Sequence, residues 1–256
     1  MERAEWLEQR KRFITASDVA ALLGLNSSRS ASKVIREKAG LAAAEELDED
    51  LLAQVPAGRH MEAGIAAWFL EETPHGTAWG NGNNLMVSPV LPYLGATPDW
   101  IVDGQPIEVK NVGETQLVNF YEAGETWNVA QKRAAPKHWP AHLEMPVPSD
   151  YRVRDPAEFL RVSPNDKSVK GHWRRSRAHQ MQVLRPAFGE PRAPIKYWVQ
   201  MQMQMHVMSA DSGWIVAAIG GTRRIDFLYE RDRAFEAYAL EVVKNAWETI
   251  QQKKAA

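Results

Sequence analysis

Apolar positions recur along this chain with two different periods, and each switch between them marks an element. In PIEVKNV, Ile107 and Val109 alternate with Glu108 and Lys110, the period of two that a pleated strand imposes. Asp103-Gly104 supplies turn chemistry, so a hairpin is expected with the preceding strand-like run, on which Asp99 lies. Trp214–Ile219 is strongly apolar, Gly220-Gly221 turns the chain, and Ile225–Tyr229 returns beside it. Asn81–Asn84 is a turn cluster ahead of a further strand candidate over Leu85–Val90. Elsewhere the period lengthens toward that of a helix. Residues 2–12 read as helical, and Thr15 or Ser17 caps a short helix that ends near Gly24. From Gly58 to Phe69 an amphipathic helix turns Ile65, Trp68 and Phe69 inward, with Glu62 near its start. Tyr197–His206 reads as a helix with Tyr197, Gln200 and Gln204 on one face, although the glutamine–methionine alternation also fits a strand. Arg231–Lys253 is a long helix with a broad stripe through Phe235, Tyr238, Leu240, Val242, Val243, Ala246 and Ile250. The acidic stretch 41–56 reads as a solvated helix or loop. The expected class is α/β (α+β), a central mixed β-sheet flanked by helices.

Composition narrows the setting. A chain of 256 residues that is 45% hydrophobic can bury one substantial core, so a single domain over 1–256 is expected. Net charge is −1, which gives no global attraction for a polyanion; any such binding must rest on local asymmetry. No cysteine is present, which excludes disulfides and thiolate-held iron–sulfur clusters. There is no run of eighteen apolar residues and no signal pattern in MERAEWLEQRKR, so a cytoplasmic protein without membrane attachment is expected.

The candidate chemistry centres on GATPDWIVDGQPIEVKN. Side chains two apart on a strand share a face, so Glu108 and Lys110 point the same way, and the turn brings Asp99 alongside Glu108. Hard ions such as Mg²⁺ or Mn²⁺ take one or two carboxylates plus water and substrate phosphate oxygens. An ion held by Asp99 and Glu108 would polarise a scissile phosphate and lower the pKa of a bound water. Lys110 could orient that water or neutralise charge developing on the phosphorus. The bland alternative is a surface hairpin with an ordinary Glu–Lys pair. Near the N-terminus, a helix start at Thr15–Ser17 offers free N–H groups to a phosphate, with Arg10 one helix away; simple capping is the alternative there. Glu62 reads equally as an acid placed by the helix dipole.

Taken in order, four pieces carry a resemblance: W-x3-R-x3-ITAS at Trp6–Ser17, G-x3-E at Gly58–Glu62, PD-x8-EVK at Pro98–Lys110, and Y-x2-Q-x-Q at Tyr197–Gln202. This ordered set resembles the YqaJ-type viral recombinases and the lambda exonuclease family, within the PD-(D/E)xK nuclease superfamily. The resemblance implies a restriction-endonuclease-like core and a Mg²⁺- or Mn²⁺-dependent phosphodiester hydrolase. Asp99 and Glu108 would be metal ligands together with the main-chain carbonyl of Val109, and Lys110 the catalytic lysine. Glu62 matches the family's helix glutamate near the metals, and Gln200 the glutamine that completes the site. Arg10 and Ser17, with Thr15 as helper, match the residues that hold a DNA 5′-phosphate. Such enzymes digest one strand of duplex DNA from the 5′ end and leave a 3′ overhang for a single-strand annealing protein. They belong to phage or prophage recombination in a bacterial host. Relatives form ring-shaped trimers, whose closing surfaces are not readable from one chain. An endonuclease on the same core, or a catalytically silent DNA-binding recombination scaffold, are the competing readings.

One stretch departs from the pattern. Residues 113–194 exceed what the family core needs and read as an insertion or expanded lobe. Between Tyr151 and Lys196 there are eleven Lys/Arg against four Asp/Glu. Trp173 followed by Arg174, Arg175 and Arg177 suits contact with DNA, the alternative being ordinary surface charge. His138-x3-His142 has zinc-like spacing, but Pro140 interrupts it and no third ligand follows. No Gly-x-Ser-x-Gly elbow or Walker-type loop is present.

Overall fold

A strand that is buried on both sides must carry a different set of side chains into each of two cores, and Gln105–Val112 does this. The computed structural model describes residues 8–26, 29–42, 49–81, 84–113, 116, 119–120, 140, 143, 146–154, 191–221 and 223–255. Trp6, the His138–His142 pair and the basic run Trp173, Arg174, Arg175 and Arg177 lie outside these residues. The strands are β1 (Ile14–Thr15), β2 (Ala78–Gly80), β3 (Met86–Val87), β4 (Leu94–Ala96), β5 (Trp100–Val102), β6 (Gln105–Val112), β7 (Asp150–Arg154), β8 (Ser212–Ile219) and β9 (Arg223–Glu230). The helices are α1 (Ala16–Leu22), α2 (Ala31–Lys38), α3 (Glu49–Glu72), α4 (Ile195–Met208) and α5 (Arg233–Ala255). A further helical turn over residues 8–11 precedes β1.

Six strands form the main sheet in the order β2-β5-β6-β8-β9-β7, and a small sheet runs β1-β4-β3. The main sheet is mixed: β6 and β8 are parallel, and its other neighbours are antiparallel. A parallel pair needs a long crossover, and α4 lies within the one between β6 and β8. The β5–β6 hairpin closes on Asp103 and Gly104, with φ of 49° and 80°. Two consecutive left-handed residues are what a two-residue turn matching strand twist requires.

Parity sorts the two cores. Ile107 and Val109 on β6, with Trp214, Val216 and Ala218 on β8, pack under Ile65, Ala66 and Phe69 of α3. Val112, Ile215, Ala217 and Ile219 face the other way, into the core shared with α1, α4 and α5. Full burial of a side chain such as Phe69 contributes roughly 1.5–3 kcal/mol. α5 buries Phe235, Ala239, Val243, Ala246 and Ile250 at three- and four-residue spacing. Among the described residues no helix is long and apolar enough to cross a membrane.

Three expectations change. The helix carrying Glu62 starts at Glu49 and runs through Pro56, so Glu62 lies mid-helix and the start of the helix dipole does not act on it. The strand candidate Leu85–Val90 shortens to Met86–Val87: the Ser88 N–H still donates to the Leu94 carbonyl at 2.8 Å, but the Ser88 hydroxyl accepts the N–H groups of Val90 and Leu91 and turns the chain away. Tyr197–His206 is helical, so the period-two reading of its glutamines and methionines falls. That helix is buried on nearly every side, which is why no single face stands out in its sequence.

Candidate active site

The chain leaves the small sheet at Ala96 and enters the main sheet at Trp100, and Asp99 sits in the passage between them. The β5–β6 ladder ends at Trp100 opposite Ile107, so its backbone pairing stops short of Val109. A strand residue points its N–H and C=O to the same edge, so both groups of Val109 face this passage. The Asp99 carboxylate accepts the Val109 N–H at 2.8 Å. Asp99 is thereby anchored beside β6, on the edge to which the Val109 carbonyl also points.

Glu108 and Lys110 share the face of β6 turned toward α4, as strand parity predicts. Lys110 donates to Glu108 Oε1, and Gln204 of α4 donates to Glu108 Oε2 at 2.5 Å. The Lys110 ammonium also lies 5.1 Å from the centre of the Tyr197 ring, with Lys196 at 4.8 Å from the same ring, within cation–π range. Burial works against the charge on Lys110, but Glu108 and Asp99 outweigh it and raise its pKa. Lys110 therefore keeps its proton at neutral pH and acts as a positive donor. Burial and the nearby Glu108 push the Asp99 carboxyl well above the ordinary range, Lys110 pulls it down, and Glu62 adds to the rise. So Glu62 is near enough for its charge to be felt at Asp99.

The oxygen set suits a hard divalent cation. Two carboxylates that repel each other in a buried site are relieved by one, and the buried Gln204 Oε1, which has no donor among the described residues, shows the polar surroundings to be incompletely satisfied at a cost of about 1–3 kcal/mol. Among the described residues no three His, Cys, Asp or Glu side chains group tightly enough to cage a metal alone. An ion here would complete its shell with the Val109 carbonyl, water and phosphate oxygens, as Mg²⁺ and Mn²⁺ do.

A second cluster adjoins it. Arg10 donates to Ser17 Oγ at 2.9 Å and to Thr15 Oγ1 at 3.2 Å, and the two hydroxyls are 3.1 Å apart. Thr15 is the N-cap of α1, and its N–H and hydroxyl both donate to Asp18. Asp18 pairs with Lys38 at 3.0 Å and with Arg29, while Lys38 donates to the Arg10 carbonyl at 2.7 Å. Burial lowers the Arg10 pKa, and both Asp18 and Glu108 act against that fall. The influence of Glu108 on Arg10 joins this cluster to the carboxylate site.

The structure thus brings together Asp99, Glu108 and Lys110 on one side, and Arg10, Thr15 and Ser17 on the other, while Glu62 enters only as a weaker charge acting on Asp99. Gln200, one turn before Gln204 on α4, is half-buried; the glutamine bonded to Glu108 is Gln204. Gln202 instead donates to the Glu230 carbonyl and accepts from the Asp232 N–H, which ties α4 to the start of α5. Sequence reasoning assigned no role to Asp18, Arg29 or Lys38, which no motif singled out, nor to Lys196. It placed Gln204 and Tyr197 on the face of Gln200 by their spacing without giving them a task.

The model of the YqaJ-like viral recombinase domain matches residues 5–147, more than half of the chain and all of both clusters except α4. The chain belongs to the YqaJ-like viral recombinase family. Two solved structures share the fold of this YqaJ-like chain. They are an alkaline exonuclease (LHK-Exo) from Laribacter hongkongensis and LHK-Exo in complex with dAMP. Each has a TM-score of 0.54 at 17% identity over 98% of this chain and 94% of its own. No curated protein matches the sequence.

Proposed function

We propose that this YqaJ-like chain is a metal-dependent DNA exonuclease that removes nucleotides from the 5′ end of one strand of a duplex. The observation that carries this reading is the convergence of Asp99 with Glu108 and Lys110 beside an arginine held on two hydroxyls. Asp99, Glu108 and the Val109 carbonyl would hold Mg²⁺ or Mn²⁺. Such an ion, when bound, supplies Lewis-acid polarisation of a phosphate and acidifies water. Lys110, protonated, offers its charge to the scissile phosphate, where negative charge grows in the transition state. Arg10, Thr15 and Ser17 would receive a terminal 5′-phosphate, with arginine supplying a planar fork of donors. A pocket for a terminal phosphate has no use at an internal cut, which favours an exonuclease over an endonuclease. The product would be a 3′ single-stranded overhang, the substrate of a single-strand annealing protein. Support comes from membership of a viral recombinase family and from a fold shared with an alkaline exonuclease whose complex with dAMP has been solved.

The test pairs linear with covalently closed circular duplex DNA in Mg²⁺. The expected result is loss of the linear form alone, abolished by Lys110→Ala. In the same assay Arg10→Ala is expected to lose the preference for 5′-phosphorylated over 5′-hydroxyl ends. Nicking of the circle would indicate an endonuclease, inertness toward both forms a binding scaffold, and an unchanged end preference would remove the phosphate pocket.

A further inference from the structure

The middle of α4 alternates glutamine and methionine, and Met201, Met203 and Met205 are fully buried. Gln204 is as buried as they are, at 0% exposure. A methionine at 204 would fill the same space without bringing an amide into an apolar core, so the amide needs a reason. Gln202 has two polar partners in the fold, the Glu230 carbonyl and the Asp232 N–H, and His206 has three, Ser88, Glu236 and Arg231. Gln204 differs. Its Nε2 goes to Glu108 Oε2, and its Oε1 is buried with no donor among the described residues. Its whole polar content is spent on one oxygen of one carboxylate, and it comes from a helix 96 residues further along the chain.

We propose that Gln204 is a positioning residue for the metal site: with Lys110 on Glu108 Oε1, it clamps Oε2 and so fixes the rotation of the carboxylate presented to a divalent cation. The inference rests on the metal-dependent reading of Asp99 and Glu108. A carboxylate with one oxygen held can still turn about its axis; with both oxygens held from different elements, β6 and α4, it cannot. Partners that orient a ligating group change metal affinity about 10–100-fold when removed. Gln204 lies outside the Tyr197–Gln202 motif.

The experiment titrates the full-length protein with Mn²⁺ in a calorimeter. Proteins compared are the wild type, Asp99→Ala, Gln204→Met and Gln204→Asn. Methionine keeps the volume and removes the amide; asparagine keeps the amide and shortens its reach by one methylene. If one of the two replacements fails to fold, as judged by melting in EDTA, the other decides. Expected is wild-type binding, none in Asp99→Ala, and affinity about tenfold weaker in the Gln204 variants at unchanged stoichiometry. Mg²⁺ titration of nuclease turnover should agree: the half-saturating Mg²⁺ rises about tenfold and the saturated rate recovers most of its value. A merely structural role would lower the number of competent sites and leave their affinity alone, which would overturn the proposal. Wild-type Mn²⁺ affinity in both Gln204 variants, with Asp99→Ala silent, would overturn it while leaving the metal reading intact. No Mn²⁺ binding by the wild type, or equal binding by Asp99→Ala, would remove the metal reading and the clamp with it.

Discussion

Asp18 is 1% exposed and has no part in the proposed chemistry, yet the Arg10 cluster is organised around it. Burial alone would raise its pKa; Lys38, Arg29 and the Thr15 N–H outweigh that and draw it from its ordinary 3.8 to about 2. A carboxyl whose pKa is lower in the folded state gives stability that is fully present above its ordinary value and is lost as pH falls toward the folded one. That contribution is about 2 kcal/mol, drained between pH 4 and pH 2. Asp18→Asn takes the carboxylate from buried Lys38 and from half-buried Arg29, which keeps Glu37, and should cost about 3–5 kcal/mol at neutral pH. Urea unfolding at pH 7 and pH 3 reads both effects: the variant should be much weaker at pH 7, and the gap should narrow in acid. Equal midpoints at pH 7 would mean that the cations are satisfied by something else. Glu108 and Lys110 were legible in the sequence because a period of two needs only neighbours along the chain. Asp18, Lys38 and Gln204 were not, since their partners lie on other elements and no local pattern encodes which helix packs on which strand.

At the scale of elements, β6 and β8 were readable as apolar runs, and Asp103-Gly104 fixed the hairpin through backbone geometry that few other residue pairs tolerate. The boundaries of α3 and β3 were not readable. Pro56 looks like a break, but within a long helix it removes one hydrogen bond, and here the helix continues through it. Ser88 looks like the middle of a strand, but its hydroxyl draws the backbone into a turn. The approach of β8 to β6 depends on Gly213. A Cβ there would lie 2.4 Å from Met201 Sδ, 3.1 Å from Pro106 Cγ and 3.2 Å from the Pro106 carbonyl oxygen. The methionine can give way; the proline carbonyl is main chain and cannot. Gly213→Ala is therefore expected to cost roughly 1–3 kcal/mol, read as a lower urea midpoint, and an unshifted midpoint would show that the strands have slack.

For the molecule as a whole, two sheets meet at the passage from Ala96 to Trp100, and the candidate site forms just past the end of the β5–β6 ladder. That junction puts the Asp99 carboxylate, the Val109 backbone and the Glu108–Lys110 pair in one place. Net charge near zero means that DNA is held by local charge, and the basic stretch in 151–196, with 155–190 outside the described residues, is a proposed part of that surface. Removing a ligand spoils the ion and leaves such a surface intact, so catalysis and binding should separate. The most direct measurement is turnover of linear duplex in Mg²⁺ by Asp99→Ala and Glu108→Ala, set beside duplex affinity of the same proteins. The account predicts turnover lower by more than about a hundredfold, with affinity near that of the wild type. Near-normal turnover in either variant would contradict it.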